Sequence, residues 1–159
     1  MNSSFLGVGT NVGDRHENIR ACLGFVRQFA SIVSVSNTLE TPALLPPNAP
    51  PSWNIPFLNL AIHIQTNLSV FQLLPSIKLI EKTMGRNENA ERWSPRIIDV
   101  DILTFNNLVF TNNELTIPHE HITQRHFVLE PLCEIAPNIV HPIYKKTFKT
   151  LFSELSRQG

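Results

Sequence analysis

Apolar residues recur along this chain at two spacings, and the places where the spacing changes mark its elements. Phe5 to Val8 form a short apolar run before Gly9-Thr10-Asn11, which reads as a strand ending in a turn. Ile19, Cys22, Leu23, Val26 and Phe29 then follow helical spacing behind Asp14, a side chain able to cap the unpaired N–H groups of a first turn. Ile32, Val33, Val35 and Leu39 make a β-rich run that stops at Thr41-Pro42, because proline cannot donate to a ladder.

Six of the twelve prolines fall within residues 42–56, which predicts a long surface loop of the lid or binding kind. Residues 57–65 alternate cleanly: Leu58, Leu60, Ile62 and Ile64 on one face, Phe57, Asn59, Ala61 and His63 on the other. The first face is expected in the core and the second to meet ligand. Ser69-Val70-Phe71-Gln72 has the form of a capping box, and the helix behind it runs through Leu73, Leu74, Ile77, Ile80 and Met84 to a stop at Gly85. Pro75 within it predicts a kink. Residues 87–94 are polar apart from Trp93 and read as a second exposed loop. Residues 97–105 carry the strongest strand pattern, and Asn106-Asn107 predicts a two-residue hairpin returning through Leu108-Val109-Phe110. Further helices are expected within residues 124–135 and 147–155.

The order strand, helix, strand, strand, helix, hairpin, helix predicts an α+β fold with a ferredoxin-like core: a mostly antiparallel sheet, helices packed on it and long active-site loops. At 159 residues one domain, 1–159, is expected. Thirteen Lys and Arg balance thirteen Asp and Glu, which argues against a nucleic acid or an anionic membrane as partner and requires any polyanion site to be local. Cys22 and Cys133 both lie in apolar stretches, as buried free thiols of a reducing compartment do. Met1-Asn2-Ser3-Ser4 has no leader pattern and no segment is apolar enough to span a membrane, so a soluble cytoplasmic protein is expected.

Candidate chemistry concentrates in Arg96-Ile97-Ile98-Asp99-Val100-Asp101-Ile102. A period of two puts Asp99 and Asp101 on one face of a strand, where their repulsion calls for a cation. Magnesium suits such a pair, since it takes a few carboxylate oxygens and fills its remaining positions with water and substrate phosphates. Arg86, Arg92 and Arg96 precede the strand and Arg125 follows it, and guanidinium forks bind phosphate. They could equally pair with Glu88 and Glu91 on the surface. No Gly-x-x-x-x-Gly-Lys loop is present, so the phosphate grip must come from side chains. His119 and His121, two apart after Pro118, are a weak metal motif without neighbouring cysteines.

The stretch Glu91-Arg92-Trp93-Ser94-Pro95-Arg96-Ile97-Ile98-Asp99-Val100-Asp101-Ile102 resembles the signature of 6-hydroxymethyl-7,8-dihydropterin pyrophosphokinases. Gly9-Thr10-Asn11, Thr41-Pro42, Phe57-Leu58-Asn59, Gly85-Arg86, Ile117-Pro118-His119, Arg125-His126-Phe127 and Glu134-Ile135-Ala136-Pro137 follow that family's order. The resemblance implies an enzyme of folate synthesis that moves the diphosphate of ATP onto the pterin hydroxymethyl oxygen and releases AMP. It implies two Mg²⁺ ions on Asp99 and Asp101, with Arg86 and Arg96 on the transferred phosphates. Glu81, Trp93, Ile102, His119 and Arg125 would contact the nucleotide. Phe57 and Phe127 would sandwich the pterin, Asn59 would read its amide edge, and Thr41, Pro42, Leu44 and Trp93 would complete its site. Phe57 stands where tyrosine is frequent, Ser94 where glycine is frequent, and Glu88 where some relatives carry a second loop arginine. The loop of residues 42–56 also looks longer than usual. By this likeness the partners are small molecules, and the chain either stands alone or is fused or adjacent to a downstream folate enzyme. Two rival readings are a two-metal phosphohydrolase or nuclease using the same Asp pair, and a ferredoxin-like nucleic-acid-binding module. The first would not need the set Phe57, Asn59 and Phe127, and the neutral charge and the Asp pair on the exposed face argue against the second.

Overall fold

A computed structural model describes residues 1–86 and 89–158. Asn87, at the start of the second loop, and Glu88 lie outside the described residues. The chain forms β1 (Asn2–Thr10), α1 (Arg15–Val26), β2 (Ser31–Val35), β3 (Leu39–Thr41), β4 (Phe57–Thr66), α2 (Val70–Thr83), β5 (Asp99–Phe105), β6 (Phe110–Thr111), β7 (Thr116–Ile117), α3 (His126–Ile135) and α4 (Phe148–Gln158). The main sheet runs β2–β4–β1–β5, with β3 also on β4, and every pairing is antiparallel. Between β2 and β3, Ser36 keeps contact with β4: its N–H donates to the Ala61 carbonyl at 3.0 Å and its Oγ accepts from the Ala61 N–H at 2.9 Å. β2 and β3 therefore act as one interrupted strand, and the order becomes that of the ferredoxin-like core.

Local chemistry explains where the helices begin. Asp14 Oδ1 accepts from the Glu17 N–H at 3.1 Å and starts α1. At α2 the capping box is complete: Ser69 Oγ accepts from the Gln72 N–H and Gln72 Oε1 from the Ser69 N–H at 2.9 Å. The helix is continuous past Pro75. β1 runs on through Gly9 and Thr10, residues expected in a turn, because β4 pairs both and β5 pairs Gly9.

The expected hairpin after β5 does not form. Asn106 does turn, with φ of 50°, but it clasps the start of β1: its N–H donates to the Ser3 carbonyl at 2.7 Å and its Oδ1 accepts from the Ser3 N–H at 2.8 Å. Phe110–Thr111 pairs instead with Thr116–Ile117, so among the described residues β5 has only β1 as a ladder partner.

Two cores lie on opposite faces of the sheet. Leu58, Leu60, Ile62 and Ile64 of β4 pack with Leu6, Val8, Val100 and Ile102 against Ile19, Cys22 and Val26 of α1 and Leu73, Ile77 and Ile80 of α2. On the other face Phe5, Ala61 and Leu103 pack against Leu129 and Leu132 of α3 and Phe148 and Leu151 of α4. Each such side chain, fully buried, contributes roughly 1.5–3 kcal/mol. Helices α3 and α4 cover only part of this second face. Ala61 packs under them at the edge of the open part and still lines its end; Phe57 and Asn59, four and two residues earlier, lie beyond their cover. Among the described residues no helix is long and apolar enough to cross a membrane.

Candidate active site

The uncovered part of the second sheet face forms the floor of a cleft of about 330 Å³. Register places its parts. Across the sheet Asp99 stands opposite Gly9 and Gly9 opposite Asn59; one row on, Asp101 stands opposite Gly7 and Gly7 opposite Ala61. The central strand thus contributes a bare glycine floor between two acids on β5 and an amide on β4. The floor has no spare room: a Cβ on Gly9 would come within 2.9 Å of Asn59 Oδ1.

One wall of the cleft is aromatic and amide-bearing. Phe57 and Asn59 come from β4, Phe127 from the first turn of α3, and Thr41, Pro42 and Leu44 from the start of the proline-rich loop. Asn59 Nδ2 donates to Thr41 Oγ1 at 2.6 Å, which fixes the amide before any ligand arrives. The Arg125 guanidinium lies 5.6 Å from the centre of the Phe127 ring. From the 89–98 segment Trp93 overhangs the cleft with φ of 75°, a left-handed conformation that is unusual for an aromatic, and Arg92 stacks on its ring at 4.6 Å.

The other wall is charged. Asp99 Oδ1 accepts from Nη1 of both Arg86 and Arg96, each at 3.1 Å. Among the described residues Asp101 has no comparable partner; the nearest is His119 Nε2, 3.9 Å from its Oδ2. Its partial burial in the cleft, with Asp99 and Glu81 repelling its charge, pushes its pKa up to about 7. Burial lowers the pKa of His119, with His121 and Arg125 adding to the effect. His119 Nδ1 accepts from the His121 N–H at 3.2 Å, so the neutral ring carries its proton on Nε2, toward Asp101.

Two expected site residues do not line this first cleft. Glu81 is 3 % exposed and stands behind the cleft, where it accepts from Arg86 and from the Val100 N–H and pairs with Lys78. Ile102 points to the helix side of the sheet and edges a second cleft of about 280 Å³. This second cleft shares Lys78, Asp101, His119 and Glu120 with the first. The sequence reading missed Lys78 and the floor glycines. It also missed the bracing role of Asn11, which is 2 % exposed: its Oδ1 accepts from the Arg96 N–H at 2.7 Å and its Nδ2 donates to the Ile55 carbonyl at 3.0 Å. It so ties the proline-rich loop to the arginine segment. The only signal for it was an Asn directly after a strand.

Among the described residues no group of three or more His, Cys, Asp or Glu poised for a metal occurs, at His119 and His121 or elsewhere. The available donors are the paired carboxylates of Asp99 and Asp101. Two acids, one of them short of counter-charge, fit an ion that draws its remaining ligands from water and phosphate rather than a closed zinc site.

Comparison with known proteins gives the family. Residues 5–137 match the family model of 7,8-dihydro-6-hydroxymethylpterin-pyrophosphokinase (HPPK). The chain is 37 % identical over 153 residues to the 2-amino-4-hydroxy-6-hydroxymethyldihydropteridine pyrophosphokinase of Aquifex aeolicus, covering 94 % of this chain and 89 % of that one. It is 38 % identical over 133 residues to a folate synthesis bifunctional protein of Chlamydia caviae, covering 83 % of this chain but 30 % of that one. A crystal structure of Plasmodium falciparum HPPK-DHPS shares the fold, with a TM-score of 0.76 at 16 % identity over 99 % of this chain and 44 % of that one. The chain thus spans less than half of these longer relatives. It belongs to the 7,8-dihydro-6-hydroxymethylpterin-pyrophosphokinase family.

Proposed function

We propose that this chain transfers the β,γ-diphosphate of ATP to the hydroxymethyl oxygen of 6-hydroxymethyl-7,8-dihydropterin and releases AMP, a step of folate synthesis. The observation that carries this reading is the meeting in one cleft of an aromatic and amide wall with an acid and arginine wall. A flat heteroaromatic gains burial and stacking between Phe57 and Phe127, and Asn59, already oriented by Thr41, offers an amide to the ring's polar edge. Opposite them Asp99 and Asp101 suit Mg²⁺. Two Mg²⁺ ions, when bound there, would supply the positive charge that a polyphosphate in transfer requires.

The chain's own groups do the positioning. Arg86 and Arg96, held on Asp99 in the free protein, are placed to exchange that carboxylate for phosphate oxygens. His119, neutral with its proton on Nε2, and Arg125 offer donors along the nucleotide's path. The second cleft, with Leu74, Ile102 and Leu115 on its wall, suits the nucleotide base. Glu81 serves from behind by holding Arg86. Trp93 and the proline-rich loop, tethered through Asn11, are placed to close over the cleft and keep out water, the competing nucleophile. The free thiols Cys22 and Cys133 suit a reducing, cytoplasmic setting. A companion folate enzyme, separate or fused as in the bifunctional relatives, would take the product.

The test is AMP formation from ATP and Mg²⁺ with and without the pterin, alongside hydrolysis of single-stranded and duplex nucleic acid. AMP that appears only when the pterin is present supports the proposal. Nucleic acid cleavage, or ATP hydrolysis indifferent to pterin, would replace it with the phosphohydrolase reading.

A further inference from the structure

Arg15 opens α1 and lines neither cleft, yet its guanidinium spans both roots of the proline-rich loop. Its Nη2 donates to Glu40 Oε2 at 3.0 Å and its Nη1 to the Pro56 carbonyl at 3.1 Å. Glu40 is the middle residue of β3 and Pro56 the last residue before β4. One planar fork thus grips the loop both where it leaves the sheet and where it returns. The neighbouring carbonyl, that of Ile55, is taken by Asn11 Nδ2. Asn11 directly follows β1 and Arg15 opens α1, so both donors stand at the ends of one short connection. Asn18 Nδ2 stiffens that connection by donating to Thr10 Oγ1 at 3.1 Å and to the Val12 carbonyl at 2.7 Å.

The grip lies behind the aromatic and amide wall. In the β3–β4 ladder Glu40 stands opposite Leu58, which belongs to the core shared with α1 and α2, and Thr41 stands opposite Phe57. Alternation along the strands therefore puts Glu40 on the side of α1, and Thr41, Phe57 and Asn59 on the side of the cleft. β3 is three residues long and, among the described residues, has β4 as its only ladder partner. So short an edge strand frays readily. The bond that orients the Asn59 amide, from Nδ2 to Thr41 Oγ1, holds only while β3 stays in register. Glu40 is more than half exposed, and an ion pair so open to solvent adds little to the stability of the whole chain. Its effect is local: it restrains the strand that carries Thr41 and leads into Pro42 and Leu44.

We propose that Arg15 is a positioning residue for the pterin. By fixing the two roots of the proline-rich loop it presents Thr41, Pro42 and Leu44 to the ring's polar edge in one alignment with Phe57 and Asn59. The proposal rests on the diphosphate-transfer reading. Arg15 takes no part in bond making or breaking; it reduces the ordering that the loop must undergo when the ligand arrives. The effect falls on pterin binding, because neither hydrogen bond of Arg15 reaches the acid and arginine wall. A fork suits the task, since one group has to hold a carboxylate on β3 and a carbonyl before β4 together, which a single ammonium does less well.

The experiment compares the parent with Arg15→Gln, Arg15→Lys, Glu40→Gln and, as a control on an ion pair that lines neither cleft, Lys146→Gln. Calorimetry gives the affinity for α,β-methylene-ATP with Mg²⁺ and, with that analogue saturating, the affinity for 6-hydroxymethyl-7,8-dihydropterin. Pterin-dependent AMP release gives kcat and both KM values, amide hydrogen exchange reports on the β3–β4 ladder, and thermal melts establish folding. Arg15→Gln is expected to weaken pterin binding and raise the pterin KM about tenfold and to speed exchange in β3, with kcat and the affinity for the ATP analogue near the parent's. Arg15→Lys should recover part of the loss. Glu40→Gln, which leaves the bond to Pro56, should lose less than Arg15→Gln, and Lys146→Gln should match the parent. Parent-like pterin affinity and KM in a folded Arg15→Gln protein would overturn the proposal and leave Arg15 a surface residue paired with Glu40. An equal loss for the ATP analogue would also overturn it, by showing a general distortion of the site. Should Arg15→Gln fail to fold, Arg15→Lys and Glu40→Gln decide: a loss selective for pterin supports the proposal and no loss in either overturns it. A parent that neither binds pterin nor makes pterin-dependent AMP defeats the reaction reading and takes the pterin role of Arg15 with it. A parent that does both, with Arg15→Gln its equal, overturns the role of Arg15 alone.

Discussion

On the sheet face turned away from α1 and α2, two neighbouring regions solve opposite problems. Along β5 the same face carries Asp99, Asp101 and then Leu103; along β1 it carries Gly9, Gly7 and then Phe5. At Phe5 and Leu103 the face is dry, covered by α3 and α4 and filled by Phe148, Leu129 and Leu132. Two to four residues away the large side chains stop, glycines lower the floor, and charge replaces packing. The cleft is therefore made by omission on the central strand, and the covered half supplies the rigid frame that holds Asp99, Asp101 and Asn59 in register. The difference teaches that stability and chemistry can be separated on one surface by changing side chains at the same strand period.

The strongest way to break this comparison is to neutralise the open half. Asp101→Asn should lower pterin-dependent AMP release on the order of a thousandfold, about 4 kcal/mol of transition-state stabilisation. It should not lower stability. A carboxyl raised to about 7 in the fold from 3.8 binds more protons folded than unfolded across that window, so its contribution to stability is lost as pH rises. At pH 8 with chelator the variant should melt no lower than the parent, and a clear drop would show that Asp101 holds the frame.

The converse change empties the covered half. Phe148→Ala should cost about 3–5 kcal/mol and lower the melting temperature by roughly 10 °C. At low temperature its KM for both substrates should stay near the parent's, because Phe148 belongs to the covered half. Raised KM values in the folded variant would mean that the two halves are coupled.

A subtler change fills the floor. Gly9→Ala would set a methyl within 2.9 Å of Asn59 Oδ1 and push the amide from its place beside Thr41. Pterin affinity should fall about tenfold, with affinity for the ATP analogue unchanged. Equal losses for both ligands would point to a general distortion of the sheet.

The smallest effect concerns acid. His63 stacks on Phe5 with ring centres 4.5 Å apart and bonds Ser3, and burial lowers its pKa. His141 is lowered for the same reason. The unfolded chain then binds more protons than the folded one below about pH 6.5, so stability declines as pH falls through that range. His63→Phe should show a shallower dependence of melting temperature on pH, with His141 supplying what remains. An unchanged slope would remove His63 from this account.

Much of this arrangement was legible in the residues. Caps at Asp14 and Ser69, the alternation of β4 and the period-two placement of Asp99 and Asp101 depend on local chemistry and came through. The hairpin after Asn106 was misread because the partner that captures Asn106 is Ser3, at the far end of the sequence. Glu81 entered through the resemblance alone, as a nucleotide contact; in the fold the Val100 N–H and Arg86 hold it inside, partners that helical spacing does not name. Asn11, Lys78 and the glycine floor were hidden for the same reason, since each acts through residues that only the assembled sheet brings near.

The measurement closest to the central claim follows the phosphorus atoms. ATP labelled separately in its α- and γ-phosphates is incubated with Mg²⁺, 6-hydroxymethyl-7,8-dihydropterin and the protein, and the products are separated. The account predicts that the γ label appears in a pterin diphosphate and the α label in AMP, in equal amounts and only with pterin present. A γ label found in free phosphate or free pyrophosphate, with unlabelled pterin, would contradict it.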